Sequence, residues 1–164
     1  MLGNIIPVYN TGVDALVVFT AKYLLFILAS IFVIVTFLSR KSVRNSILKL
    51  AVFAFPLAYI MALIASSFFY DTRPFVVEHV QPLISHQPDN GFPSNHTLLG
   101  MVAATTVFVY RRNVGVLLAV LAILVGVSRI VAKVHHPVDI VASIAIAIAA
   151  TFLAWIVIKK IWER

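Results

Sequence analysis

The sequence predicts an all-α polytopic membrane protein, a bundle of five transmembrane helices. Three observations lead there. Of the 164 residues, 62% are hydrophobic and only 12% are charged, whereas a soluble domain is nearer half apolar and a quarter charged. The apolar residues fall in long unbroken runs without period-2 alternation, which selects helices over a closed barrel. The basic residues lie mostly between these runs. The length suits one membrane-embedded domain, 1–164.

The first run extends from Val13 to Leu38, interrupted by Lys22. A basic loop is expected next, with Arg40, Lys41, Arg44 and Lys49. The second run goes from Leu50 to about Phe69, with Pro56 as a possible kink. Tyr70 to Pro93 is polar and rich in Pro, Asp and His. The third run, Thr97 to Tyr110, is short, and needs the residues from Ser94 onward to approach the ~20 that a span requires. Arg111-Arg112-Asn113 reads as a tight turn. The fourth run, Val114 to Val127, continues to Ala132. Pro137 opens the fifth, which is expected to end before Lys159-Lys160.

Charge placement predicts orientation. Nine of the thirteen Lys and Arg residues are Arg40, Lys41, Arg44, Lys49, Arg111, Arg112, Lys159, Lys160 and Arg164. By the positive-inside rule their segments face the cytoplasm. The N-terminus, the 70–93 loop and the 129–137 connection then face outward, and the C-terminus is inside. The start lacks a positive n-region and does not read as a cleaved signal peptide. There is no cysteine, so disulfides and thiolate chemistry are excluded. The net charge of +7 does not point to nucleic acid, because the charges separate hydrophobic spans instead of covering one soluble face.

Three outward segments carry the chemistry: Arg73-Pro74, Pro93-Ser94-Asn95-His96, and Ser128-Arg129 followed by His135 and Asp139. Ionisable groups at membrane depth are costly and usually functional. Ser94 or Asn95 is a good N-cap, and a helix start offers free amides and a favourable dipole to a phosphate. A cap does not need the imidazole of His96. Pro137 at a first helical position places Asp139 in the first turn. There it can serve the helix terminus or orient His135 as the carboxylate of a nucleophile triad does. Two histidines from separate helices can supply an attacking group and an acid for in-line phosphoryl transfer. Arg73 and Arg129 are suited to clamp phosphate oxygens; the bland alternative is snorkelling to headgroups. His136 reads as structural or interfacial, and His86 and Asp89 as a pocket rim or a solvated loop. Lys22 lies eight residues from Asp14, on roughly the same helix face, and can pair with it or reach the outer surface. No His-Glu-x-x-His pair or carboxylate cluster is present, so no metal and no cofactor are expected.

These segments resemble the three-part signature of the type 2 phosphatidic acid phosphatases, Lys-x6-Arg-Pro, Pro-Ser-Gly-His and Ser-Arg-x5-His-x3-Asp. The third element matches in full. The first has Ser66 at the lysine position, and the second has Asn95 for glycine. Lys133 or Lys22 could substitute for the lysine. Within that superfamily the chain is most similar to undecaprenyl-diphosphatases of the bacitracin-resistance type. That likeness rests on Asn10-x3-Asp14, Lys22-Tyr23, Arg73-Pro74-Phe75-Val76, His86, and Pro88-Asp89-x-x-Phe92-Pro93-Ser94-x-His96. Those enzymes usually have Asp at the position of Asn95. The resemblance implies that His135 attacks phosphorus, Asp139 orients it and His96 protonates the leaving group. It implies that Arg73, Ser94, Asn95 and Arg129 hold the phosphate, without a metal.

The expected activity is hydrolysis of a polyprenyl diphosphate at the outer face of the cytoplasmic membrane, through a phosphohistidine. The lipid tail would remain in the bilayer. Three rivals are another lipid phosphatase (acting on phosphatidylglycerophosphate, phosphatidate or a lipid A phosphate), a transporter, and a silent phosphate-binding protein. A transporter would spread its charges through the membrane depth; here they gather at one face.

Overall fold

The computed structural model describes residues 12–162; Asn10 and Arg164 lie outside them. Six helices follow in order: α1 Val13–Leu38, α2 Lys41–Phe68, α3 Pro74–Val77, α4 Asn95–Phe108, α5 Arg112–Val131 and α6 Pro137–Trp162. Among the described residues there is no β-strand, only an isolated bridge between Thr72 and Asn90. Four helices, α1, α2, α5 and α6, are long and apolar enough to cross a membrane. With the apolar exterior they make this a multi-pass membrane protein.

The third expected span is α4. It has 14 residues and so rises about 21 Å, against a hydrocarbon core of ~30 Å. Its brevity goes with its position. α4 packs against α1, α2, α5 and α6 alike. Thr97, Leu98, Gly100, Met101, Val102, Ala103, Ala104, Thr106 and Val107 are buried on it. A helix apolar on all sides and enclosed by neighbours is a core helix. The outer helices contribute small residues toward it and the core, with Ala54, Ala58 and Ala62 on α2 and Ala147, Ala150 and Ala154 on α6. Gly115 on α5 lets the backbones cross closely, since a Cβ there would clash with Phe108 Cα. Only glycine fits that crossing.

Several boundaries differ from the expected ones. The basic stretch 41–49 is the first part of α2, not a loop. Lys and Arg are good helix formers, and Val43, Ile47 and Leu50 turn the same face to the core. Arg112 and Asn113 likewise belong to α5, and the turn is Val109–Arg111. α6 continues through Lys159 and Lys160 to Trp162, with Lys159 over the Trp155 ring at 4.4 Å. Pro56 lies within α2 without ending it.

The chain therefore has two ends. One gathers Ser39, Arg40, Arg111 and Lys159, and Arg111 Nη1 donates to Ser39 Oγ at 3.2 Å. The other gathers the starts of α4 and α6, the end of α5 and the 69–94 loop.

Candidate active site

The α5–α6 connection builds half of the site. α5 stops at Val131, and Lys133 takes a left-handed conformation, φ 63°. That bend costs roughly 1–2 kcal/mol for a residue with a Cβ. It turns the chain back so that the amides of Val134 and His135 both donate to Arg129 O, at 3.1 and 3.3 Å. His135 is thereby set beside Arg129. Lys133 Nζ is held by Glu78 at 2.8 and 3.0 Å.

Pro137 then starts α6, where Pro lacks no needed donor. Asp139 is in the first turn and fully buried. Its Oδ2 lies 3.1 Å from His135 Nδ1 and accepts the His136 amide at 2.9 Å. The carboxylate so fixes the ring and leaves Nε2 facing outward from the pair. Burial lowers the His135 pKa below the usual histidine value, and Arg73 and Arg129 lower it further; Asp139 opposes them. The ring is neutral near pH 7.

The 69–94 loop builds the other half. Arg73 precedes Pro74 of α3 and is only 5% exposed. Its Nε donates to Asp89 Oδ1 at 2.7 Å and its Nη1 to Val134 O at 2.7 Å. Nη1 also lies 3.5 Å from His135 Nε2. Burial alone would raise the Asp89 pKa, but the hydrogen bond and charge of Arg73 outweigh it and hold Asp89 below the usual carboxylate range. His86 packs edge-on to His135, with ring centroids 6.3 Å apart. Burial, then the charge of Arg73, lowers its pKa.

α4 and α5 close the site from within. Ser94 is the N-cap residue of α4 but makes no side-chain cap bond; its Oγ accepts from Thr97 Oγ1 at 3.3 Å. The Asn95, His96 and Thr97 amides have no backbone acceptor among the described residues, as expected of a free helix start. Ser94 is buried, Asn95 exposed and His96 intermediate. His96 lies within reach of the charges of Arg129 and Arg73, which puts it in their cluster. Arg129 is 3% exposed, and Nη1 donates to Ala21 O of α1 at 3.4 Å. Its Nε is buried with no partner. An unsatisfied buried donor costs roughly 1–3 kcal/mol, more when charged, and a bound anion would remove that cost.

Arg73, Ser94, His96, Arg129, His135 and Asp139 thus come to one end of the bundle, with Asn95 on its edge. The two spare lysines do not join them. Lys133 is paired with Glu78, and Lys22 is exposed on α1, next to Ala21. Ser66 turns its hydroxyl to Leu63 O. His136 Nδ1 lies 2.7 Å from Asp71 Oδ2.

Sequence reasoning missed Ser143 and Asn90. Ser143 Oγ lies 2.9 Å from Ser94 O and 2.6 Å from Asp139 O. It ties the starts of α4 and α6 together, and its place one turn after Asp139 was the available signal. Asn90 Oδ1 accepts the Asp71 and Phe92 amides, and its Nδ2 donates to Ser66 O and Phe69 O. Asp71, His136 and Asp139 bring potential metal-ligand atoms within 4.8 Å of one another. Those atoms already serve each other and the His135 ring.

Comparison with known proteins gives the family. The PAP2 superfamily model matches residues 19–163. The "bacitracin transport permease protein BcrC" of Bacillus licheniformis is 35% identical over 87% of this chain and 70% of its own length. The "undecaprenyl-diphosphatase BcrC" of Bacillus subtilis is 30% identical over 88% of this chain and 75% of its own length. The crystal structure of Aquifex aeolicus LpxE matches with a TM-score of 0.70 at 25% identity, over 87% of this chain and 85% of that one. A family match over nearly every described residue, on a fold that brings the three signature segments together, identifies this chain as a member of the PAP2 superfamily and a phosphatase.

Proposed function

We propose that this chain hydrolyses undecaprenyl diphosphate to undecaprenyl phosphate, as a single membrane-embedded domain. The observation that carries the reading is the His135–Asp139 pair beside Arg73, with the buried Arg129 carrying an unsatisfied Nε. The terminal phosphate binds between the two guanidinium groups and the free amides at the start of α4. His135 Nε2 attacks the terminal phosphorus. The bond from that phosphorus to the bridging oxygen breaks, and His96 gives its proton to the departing lipid phosphate. Asp139 steadies the charge on the phosphohistidine. Water then attacks that phosphorus and passes a proton to His96. The P–N bond breaks, releasing inorganic phosphate.

The orientation follows from charge. The end with Arg40, Lys41, Arg111, Arg112, Lys159 and Lys160 faces the cytoplasm, and the site faces outward. The N-terminus is then outside. α4 serves as a short fifth crossing within four full spans.

The test is phosphate release by purified protein on a lipid panel, with chelator present. Undecaprenyl diphosphate should be the fastest substrate, and chelator should have no effect. Faster turnover of phosphatidylglycerophosphate, phosphatidate or a lipid A phosphate would replace the substrate and keep the mechanism. Quenched turnover should trap an acid-labile phosphoprotein that His135→Ala lacks. The permease name of one relative raises a transport reading. It would need charged groups along the membrane depth, yet Arg73, Arg129, His135 and Asp139 gather at one end of the helices.

A further inference from the structure

We propose that Asp71 and His136 form a clasp that positions the His135–Asp139 pair against the Arg73 guanidinium. The inference rests on the phosphatase reading of this site. His136 does two jobs with different atoms. Its backbone amide donates to Asp139 Oδ2 at 2.9 Å, and its ring Nδ1 lies 2.7 Å from Asp71 Oδ2. Asp139 depends on the first contact. Its Oδ2 receives both the His136 amide and the His135 ring, while Oδ1 is buried without a partner. The carboxylate is therefore held through a single oxygen, and any shift of the His136 backbone moves the oxygen that orients His135.

Asp71 is anchored in turn. Its amide donates to Asn90 Oδ1 at 2.9 Å, and its carbonyl accepts the Gly91 amide at 2.8 Å. Asn90 Nδ2 is tied to the end of α2 at Ser66 O, 3.3 Å. Gly91 closes the arrangement, since a Cβ there would lie 3.3 Å from Asp139 Oδ2 and 3.2 Å from Asp71 O. Asp71 is two residues before Arg73, and His136 is one residue after His135. The contact between Asp71 and His136 thus joins those of Arg73 Nη1 with Val134 O, 2.7 Å, and of the Phe75 amide with Lys133 O, 3.1 Å, in setting the register of the phosphate clamp against the attacking ring, and it alone of the three reaches the residue whose amide holds Asp139. Small misplacements of such groups have large kinetic effects. The outer contact of the same loop, Glu78 with Lys133, is exposed and touches neither Asp139 nor His135. Asp71 and His136 are positioning residues; neither is required to touch the substrate.

The experiment uses the full chain in detergent, with Asp71→Ala, His136→Ala, the double variant, the conservative His136→Asn and the control Glu78→Gln. An asparagine amide can place a donor near the position of Nδ1. The first readout is the His135 ring Nδ1 proton in histidine-labelled protein, which needs no turnover. It should be observed in the wild type, lost or shifted in both alanine variants, and recovered in His136→Asn. The second readout is phosphate release on whichever phosphate ester or anhydride the wild type hydrolyses fastest. Each alanine variant should lose roughly 10- to 100-fold in kcat with KM within about two-fold. The double variant should lose no more than the worse single, as two ends of one contact must. Glu78→Gln should leave kcat unchanged. An unmoved His135 proton in the alanine variants, additive losses, or an equal loss in Glu78→Gln would overturn the clasp. Failure of undecaprenyl diphosphate as substrate would overturn only the substrate assignment.

Discussion

At one end of the bundle Arg40, Lys41, Arg112 and Lys160 are exposed. At the other, Arg73 and Arg129 are at most 5% exposed and fixed by Asp89, Val134 and Ala21. The same residue types do different work. Exposed charges at the first end need only remain in water, so their positions along the helices are loosely constrained. At the second end burial removes water, so each guanidinium must find partners, and the partners fix its position. Rigid cations without enough acceptors attract an anion, and a freely solvated lysine does not.

The largest test of that contrast is His135→Ala, which should lower phosphate release by more than about 10³-fold, with unchanged thermal stability in detergent. Wild-type-like release from this variant would end the phosphohistidine mechanism. Arg129→Lys should cost about 10²-fold, because lysine keeps the charge and loses the Nε donor. A loss under three-fold would show that charge alone suffices there. The pH profile comes next. His135 attacks as the neutral ring, and its pKa lies below the ordinary ~6.5. The rate on kcat/KM should therefore fall about tenfold per unit below that lowered pKa, and fall again on the alkaline side as His96 loses the proton it must give. An acid limb centred above 6.5 would contradict a buried, neutral His135.

Gly115→Ala probes the other end. Its Cβ would clash with Phe108 Cα, so α4 and α5 must separate at a cost of roughly 1–3 kcal/mol. The expected result is a lower melting temperature with nearly normal kcat in the folded fraction. Arg111→Gln should have the smallest effect, phosphate release within about two-fold of wild type, since it loses one exposed contact to Ser39. A ten-fold loss would mean that the two ends are coupled.

Much of this was legible in the sequence. The bounds of α1 agree with the apolar run Val13 to Leu38, because a lipid-facing helix is apolar along nearly its whole length, Lys22 apart. The meeting of Arg73, Ser94, His96, Arg129, His135 and Asp139 at one end was expected from charge placement and the order of the apolar runs. Lys41–Lys49 was misread as a loop because charge was weighed above helix propensity and above the Val43, Ile47, Leu50 spacing. The support from Ser143, Asn90 and Asp71 was hidden for a different reason. Their partners are backbone atoms, or residues far away in sequence, and apart from the place of Ser143 one turn after Asp139 a pattern of side chains carries no sign of them.

The brevity of α4 has a consequence for the bilayer. If its Phe108 end lies level with the adjoining ends of its neighbours, its Asn95 end stops about 9 Å short of the opposite surface of an average hydrocarbon core. α4 is enclosed by its neighbours, so protein and not lipid fills that gap. A phosphate site mounted on so short a post is recessed by a similar depth, and a lipid headgroup must sink toward it.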